Sequence, residues 1–272
     1  MSAITDKFRD KMPGDKLANL FQNAKLMPGD FNLKKAENYM IDFDSKARDW
    51  DKEKMHLDRS LAVASELLRT IPIRSNMRAL EYGAGTGLLS FILKDRFSEI
   101  TMMDSSREMV NVTQEKIQAA AAKNMKALFV DLEKEDFTGE FDIIYNQMTL
   151  HHVCDINSIL GKFHSILSKG GYLAIADLYK EDGSFHGEGF NGHNGFDVEE
   201  LSSMLKKHGF RKITHRQCYI LKKSITSGEL RDFPIFLMTA ESEASNQQVP
   251  LGRVFPHALV GLLPISQTRS EI

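Results

Sequence analysis

The sequence has 272 residues, 42% hydrophobic and 26% charged, and at roughly 100–200 residues per domain it predicts a globular chain of one or two domains. Its 35 Lys+Arg and 37 Asp+Glu leave a formal net charge of -2, which argues against a dedicated binder of nucleic acid or anionic membranes. Cys154 and Cys218 form no C-x-x-C pair, which favours a reducing, cytoplasmic environment. The charged start lacks the apolar stretch of a signal peptide, and no apolar run approaches the ~20 residues that span a bilayer.

Residues 1–60 differ in composition from the chain that follows and are interpreted as an N-terminal helical cap or lid. Turn signals at Pro13-Gly14 and Pro28-Gly29 divide this segment into short helices. Leucines and alanines then recur at helical spacing, which predicts a helix from about Lys52 to Arg69. Pro72 ends that helix.

Apolar, strand-like runs alternate with helical stretches from Arg78 onward, and residues 61–242 are predicted to form one domain. The predicted strands are Ala79–Tyr82, Ile100–Met103, Ala127–Val130, Phe141–Tyr145, Tyr172–Ala176, Ile213–Leu221 and Pro234–Ala240. The predicted helices are Leu88–Phe97, Ser106–Lys123, Ile156–Leu167 and Val198–His208. This order predicts an α/β fold with a doubly wound, mostly parallel seven-stranded, Rossmann-like sheet. The link at 222–232 shows no clear helix and is too short for a parallel crossover, so we expect the last strand to be antiparallel.

The tail at 243–272 holds three of the seven prolines, Pro250, Pro256 and Pro264, among many apolar residues. It is too apolar for a simple solvated tail and too broken for a long helix. We therefore expect it to be irregular.

The glycine-rich turn from Gly83 to Gly87 is the strongest functional signal in the sequence. A strand leads into it and a helix follows, so the bare backbone can approach a ligand at the positive end of that helix. Asp104 ends the next predicted strand, where a carboxylate can accept the two hydroxyls of a ribose. Glu81 precedes the turn, where it would repel a pyrophosphate but suits the ammonium of an amino-acid-like cofactor. The ordinary alternative is a tight turn whose glycines are incidental.

Five motifs in order resemble those of class I S-adenosylmethionine-dependent methyltransferases, nearest to the small-molecule, ubiquinone/menaquinone-biosynthesis-like (type 11) branch. They cover about Trp50 to Ala240 and are Leu80–Gly87, Met103–Ser106, Val130–Leu132, Phe141–Asn146 and Leu167–Leu173. The resemblance implies the Rossmann-like fold, S-adenosyl-L-methionine as cofactor and transfer of a methyl group to a small-molecule acceptor. It leaves the accepting atom open, since many chemistries share this fold.

The resemblance also implies which residues contact the cofactor. Asp104 would bind the ribose hydroxyls, Asp131 the adenine amino group, and Glu81 the ammonium, directly or through water. Phe43, Trp50 and Tyr39 are aromatic candidates to cover the cofactor, with ordinary packing as the alternative. The complete expected set is Trp50, Glu81, Gly83, Ala84, Gly85, Thr86, Gly87, Asp104, Ser105, Met109, Asp131, Leu132, Asn146 and Gln147.

Methyl transfer is an in-line displacement at a sulfonium carbon, so the protein mainly has to align the reactants, and a general base adds to the rate when the acceptor loses a proton. His151 and His152 follow the fourth strand, next to the expected methyl group, and with Asp177 they are the candidate catalytic residues. The alternative is that the histidines are buried and only shape the site. No metal is expected, because the spacing of Asp177, His186 and His193 matches no ligand pattern.

Three rival functions remain at this point. A nicotinamide-dependent oxidoreductase is disfavoured by Glu81 and by the G-x-G-x-G spacing. A non-catalytic protein that binds the cofactor for assembly or sensing is disfavoured by the intact glycines and Asp104. An RNA or protein methyltransferase is disfavoured because Asn146 is followed by Gln-Met-Thr and not by the N-P-P-Y-like sequence used for flipped-out amino groups, and because the near-neutral charge offers no surface for a nucleic-acid backbone.

Overall fold

The computed structural model describes residues 43–243, so the predictions for 1–42, Tyr39 included, and for the tail beyond 243 lie outside the described residues. The α-helices are α1 Phe43–Lys46, α2 Lys54–Thr70, α3 Leu88–Leu93, α4 Arg107–Ala119, α5 Ile156–Ile166 and α6 Val198–Lys207. Short 3-10 helices cover Ala47–Lys52, Lys94–Arg96 and Leu150–His152. The strands are β1 Arg78–Tyr82, β2 Glu99–Asp104, β3 Met125–Phe129, β4 Phe141–Gln147, β5 Leu167–Leu178, β6 Phe210–Ser224 and β7 Leu230–Ser242.

The seven strands form one sheet in the order β3-β2-β1-β4-β5-β7-β6. Strands β1 to β5 pair in parallel, whereas β7 is antiparallel to both β5 and β6. The predicted fold class is confirmed, including the reversed last strand. The short link makes β6 and β7 an antiparallel hairpin. Within that hairpin β7 pairs with β5, so β6 is the edge strand of the sheet.

Apolar side chains fill both faces of the sheet. One core packs α2 and α3 against the sheet and the other packs α5 and α6 against the opposite face. Ser106, Asp155 and Asp197 each accept a backbone N–H in the first turn of the helix they precede, which fixes where α4, α5 and α6 begin.

Helix α2 runs without a break across position 60, where the cap was predicted to meet the main domain. Its inward face carries Val63, Ala64 and Leu67, which belong to the main core. The domain boundary stays a prediction. Within the part of the chain that the structure describes, no helix combines the length and the apolar character that a membrane span requires.

Candidate functional site

The candidate site lies along the carboxyl ends of the parallel strands, where open α/β sheets bind ligands. The strand order places the ends of β2, β1, β4 and β5 side by side along this edge. Most of the residues predicted for the site therefore follow one another along it: Asp104 after β2, the glycine turn after β1, Asn146 at the end of β4 and Asp177 at the end of β5.

The glycine turn adopts a backbone conformation that is unfavourable for residues with a side chain. Gly83, Gly85 and Gly87 have φ values of 66°, 55° and 78°, in the left-handed region. A Cβ atom at Gly83 would lie 2.1 Å from Thr149 Cγ2, so the segment that follows β4 packs against the turn there. Among the described residues, a Cβ at Gly85 would meet only Met109 Sδ, at an ordinary contact distance of 3.8 Å, so there is room beside that glycine. The turn thus packs against the fold at Gly83 and is open to a ligand at Gly85.

Glu81 is buried behind the glycine turn, with 2% of its surface exposed. Its Oε2 accepts hydrogen bonds from the backbone N–H and the hydroxyl of Ser90, and the Ser90 hydroxyl lies 2.8 Å from Tyr145 Oη. Burial raises the pKa of the Glu81 carboxyl to about 8. Because these bonds hold Glu81 toward α3, the geometry favours the indirect form of the predicted ammonium contact.

Asp104 joins the end of β2 to the glycine turn. Its Oδ2 accepts the Gly85 N–H at 2.7 Å, and its Oδ1 accepts the Ser106 N–H at 2.8 Å. Burial raises the pKa of the Asp104 carboxyl above its usual value. Each carboxylate oxygen can accept a second hydrogen bond, so both remain capable of binding a pair of hydroxyls beside Gly85.

Three amide atoms at the end of β4 have no hydrogen-bond partner within residues 43–243. Asn146 is 1% exposed, and among residues 43–243 neither its Nδ2 nor its Oδ1 has a hydrogen-bond partner. Gln147 Nε2 donates to Ser60 Oγ at 3.0 Å, while its Oε1 also lacks a partner in the described chain. Buried polar atoms are normally bonded, so these amides indicate a polar ligand next to the glycine turn.

The residues predicted beside the adenosine moiety lie farther along the same edge. Asp131 accepts the Glu133 N–H at 3.1 Å and pairs with Lys134 Nζ at 2.6 Å, whereas the next residue, Leu132, is buried. Met109 is buried under Gly85, and Ser105 is exposed.

The segment before α2 is tied to the glycine turn by a polar clamp. Asp51 accepts a hydrogen bond from Thr86 Oγ1 and pairs with Lys116 Nζ at 2.6 Å, and the same Lys116 Nζ donates to the Thr86 carbonyl at 2.7 Å. The Trp50 ring stacks on His56 with centroids 4.2 Å apart. The clamp holds the 3-10 helix Ala47–Lys52 against the turn, and the covering role of Trp50 stays a prediction.

A cluster of three histidines lies at the β4–β5 end of the edge. His151 and His152 occupy the 3-10 turn after β4, and His186 reaches them from the loop after β5, with ring centroids 5.2 Å and 5.1 Å away. Asp177, which is fully buried, accepts a hydrogen bond from His151 Nδ1 at 2.6 Å. The structure therefore brings the three predicted catalytic residues together.

The grouping around His186 differs from the set weighed for a metal from the sequence. Asp177 is hydrogen-bonded to His151, whereas His193 Nε2 lies 2.9 Å from the Val153 carbonyl. Burial, aided by His151 and Lys223, lowers the pKa of His186 to about 3, so this ring is neutral at neutral pH. The spacing of histidines along the sequence does not predict that His186 meets His151 and His152, because the contact forms only when the loop after β5 folds back onto the turn after β4.

Arg59 is a site residue that the sequence reasoning missed. It is 6% exposed, its Nε has no hydrogen-bond partner among the described residues, and burial lowers its pKa to about 10. The negative charge of Asp177 acts in the opposite direction and raises the pKa of Arg59. The sequence held a signal for it: Arg59 is a charged residue one helical turn before Val63, on the apolar face of α2.

A cavity of about 710 Å³ adjoins the histidine cluster. His186, Phe190 and Asn194 line it on one side, and Ile225 and Thr226 of the β6–β7 hairpin line it on the other. Of the three clustered histidines, His186 is the one that lines this cavity.

This fold, with a glycine turn after β1, a carboxylate at the end of β2 and buried amides at the end of β4, is typical of the class of Rossmann-like methyltransferases. The chain belongs to the methyltransferase-domain family, whose model matches residues 55–215. The predicted resemblance is confirmed. The chain thus contains a methyltransferase domain, and S-adenosyl-L-methionine is the cofactor of the methyltransferases of this class.

Related sequences agree with the family assignment. An uncharacterized methyltransferase of Schizosaccharomyces pombe is 29% identical over 150 residues, which cover 49% of this chain and 53% of that protein. A trans-aconitate 2-methyltransferase of Deinococcus radiodurans is 28% identical over 141 residues, which cover 50% of this chain and 52% of that protein. The chain therefore spans about half the length of these curated relatives.

Solved structures share the fold. A S-adenosylmethionine-dependent methyltransferase of Aquifex aeolicus superposes with a TM-score of 0.55 at 20% identity, covering 74% of this chain and 99% of that one. Phosphoethanolamine N-methyltransferase 2 of Haemonchus contortus, with phosphomonomethylethanolamine and S-adenosylhomocysteine, gives a TM-score of 0.55 at 15% identity. The match covers 68% of this chain and 52% of that one.

Proposed function

We propose that this protein transfers a methyl group from S-adenosyl-L-methionine to a small-molecule acceptor by in-line displacement. The observation that carries the proposal is the set of unsatisfied polar groups around the open glycine turn. Within residues 43–243 the buried side-chain amide of Asn146 has no hydrogen-bond partner, a Cβ atom at Gly85 would have room, and Asp104 keeps acceptor capacity next to Gly85. A nucleoside with an amino-acid chain supplies hydroxyls, an ammonium and a carboxylate to such groups.

The order of the strand ends suggests how the cofactor would lie. Asp131 would hold the adenine end, Asp104 the ribose, and the Gly83–Gly87 turn with Asn146 the methionine end. Because β5 follows β4 along the edge, the methyl group would then face His151. Bound there, the cofactor supplies an activated methyl group on a sulfonium.

The histidine cluster is proposed to bind the reacting group of the acceptor. His151 has its Nδ1 engaged by Asp177, so its ring orientation is fixed and only Nε2 remains for another contact. The proton that the acceptor loses would leave toward this cluster. The surrounding rings of Phe43, Phe185 and Phe190 would exclude water from the reaction.

Relatives support a small acceptor. The name of the Deinococcus relative specifies trans-aconitate, and a Zea mays relative that is 27% identical over 161 residues is named a phosphoethanolamine N-methyltransferase. The match covers 54% of this chain and 31% of the maize protein.

The direct test is incubation of the purified protein with methyl-labelled cofactor and a small-molecule cell extract. We expect label in a small product. Asp177→Asn, which keeps the size of the side chain, should lower the turnover by about 10²-fold or more while the affinity for S-adenosylhomocysteine stays within about twofold. His208→Ala, at the end of α6 beside Asn157 of α5, is the control. Label transfer that is unchanged in Asp177→Asn would remove the cluster from the mechanism.

A further inference from the structure

The three histidines at the β4–β5 end have the spacing of a metal site. One ligand atom from each of His151, His152 and His186 lies within 4.8 Å of the others. Tetrahedral coordination at about 2.0–2.1 Å per nitrogen requires separations of roughly 3.3 Å, so the widest pair has to close by roughly 1.5 Å at most. His186 lies in a loop whose Gly187 and Gly189 have φ values of 85° and 89°, a backbone that can make such an adjustment.

His151 is held as a metal-bound histidine is usually held. Its Nδ1 lies 2.6 Å from the buried Asp177 carboxylate, which leaves Nε2 as the ring nitrogen that can bind a metal. Carboxylates that accept the second ring N–H orient metal-bound imidazoles and raise their basicity. Asp177 also accepts the His151 backbone N–H at 3.3 Å, so the turn itself is anchored to the same group.

His186 supplies an independent observation that points to a ligand. Its Nε2 is buried and has no hydrogen-bond partner among residues 43–243. The ring is fixed by stacking on Phe190, with centroids 3.9 Å apart, and by the edge of Phe185 at 4.8 Å. A neutral ring nitrogen that is buried, fixed and unpartnered is prepared to donate its lone pair.

We propose that His151, His152 and His186 bind a divalent transition-metal cation of the zinc type, with a coordination position left for the acceptor. Three imidazoles favour zinc and its neighbours over magnesium or calcium, which prefer oxygen ligands. The sequence expectation of no metal considered a different set of residues.

The charges around the cluster are of both signs. Asp177 contributes a buried negative charge through His151, while Lys223 and Lys46 act on His186 as positive charges. Lys223 is itself engaged, since its Nζ donates to the Phe185 carbonyl and lies 4.2 Å above the Phe185 ring. Lone-pair coordination by three rings therefore has to exceed the repulsion from Lys46 and Lys223.

The role of the cation rests on the proposed function, whereas its binding does not. Beside the methyl group, a bound cation would coordinate the acceptor and favour loss of its proton. His151 would then be a ligand and not a base.

The test is a titration of the full, tag-free, metal-depleted protein with Co²⁺, followed by displacement with Zn²⁺. We expect one equivalent of Co²⁺ to give the strong visible bands of a four-coordinate site. His186→Ala should weaken binding by more than tenfold, and Asp177→Asn by about 10-fold to 100-fold, while His208→Ala binds as the wild type does. Wild-type protein without a one-to-one site, or equal binding by His186→Ala, would overturn the proposal.

X-ray absorption of the Zn²⁺-loaded wild type gives a result that depends on no variant. Three imidazole ligands are expected, and a sulfur ligand or an all-oxygen shell contradicts the site. Calorimetry with S-adenosylhomocysteine on the metal-free protein separates the two proposals. Cofactor binding without a metal site refutes this inference alone, and a metal site without cofactor binding refutes the proposed function alone.

Discussion

Glu81→Gln gives a quantitative test of the carboxyl buried behind the glycine turn. The pKa of Glu81 rises from 4.5 to about 8 because the carboxyl is desolvated, so the folded state is the more protonated state over this interval. The stabilising effect of the protonated carboxyl is complete below about pH 4.5 and is lost as the pH rises through 8. At ~1.4 kcal/mol for each pKa unit, the full loss is about 5 kcal/mol.

The glutamine variant keeps the size of the side chain and cannot titrate. Urea unfolding of the cofactor-free protein at several pH values between 5 and 9 gives the free energy of unfolding of both forms. The wild type should lose roughly 4 kcal/mol relative to Glu81→Gln across this range. The titration of other groups cancels when the two proteins are compared. A difference in unfolding free energy between them that stays constant within about 1 kcal/mol from about pH 5 to 9 would therefore refute the reasoning.

Two further predictions concern the turn and its neighbouring carboxylate. Gly83→Ala should destabilise the fold by about 2–5 kcal/mol, since its φ is 66° and its Cβ would lie 2.1 Å from Thr149 Cγ2. Gly85→Ala, with space around its Cβ, should cost only about 1–2 kcal/mol; equal losses in chemical denaturation would contradict the packing described here. Asp104→Ala should weaken S-adenosylhomocysteine more than tenfold in calorimetry, because a charge-assisted contact is lost. The exposed Asp95→Ala is its control, and unchanged affinity in Asp104→Ala would remove the ribose assignment.

The fold was readable from the sequence because its strands are continuous apolar runs between turn signals. Their centres are confirmed, while their ends shift with local capping and pairing. The predicted helix Ser106–Lys123, for example, ends at Ala119, and Ala121 then adopts a φ of 47°. Strand β6 extends to Ser224, beyond the predicted Leu221, because it pairs with β7 as far as the turn of the hairpin.

The sequence predicted the residues of the candidate site only where each one comes directly before or after a strand of the sheet. The glycine turn and Asp104 could be placed because each follows a strand, and parallel strands end at one edge. The contact of His186 with His151 depends on how a long loop folds back, and local periodicity carries no such information. The bond between Glu81 and Ser90 also had no signal, since a carboxylate before a turn can point to either side of it.

Calorimetric titration with S-adenosylhomocysteine tests the central claim most directly. The claim is that the glycine turn and the buried side-chain amide of Asn146 form the cofactor site. We predict one-to-one binding in the micromolar range or tighter for the wild type, with a clear loss of affinity in Asn146→Ala. Absence of binding by the folded wild-type protein, or the same affinity in Asn146→Ala, would contradict it.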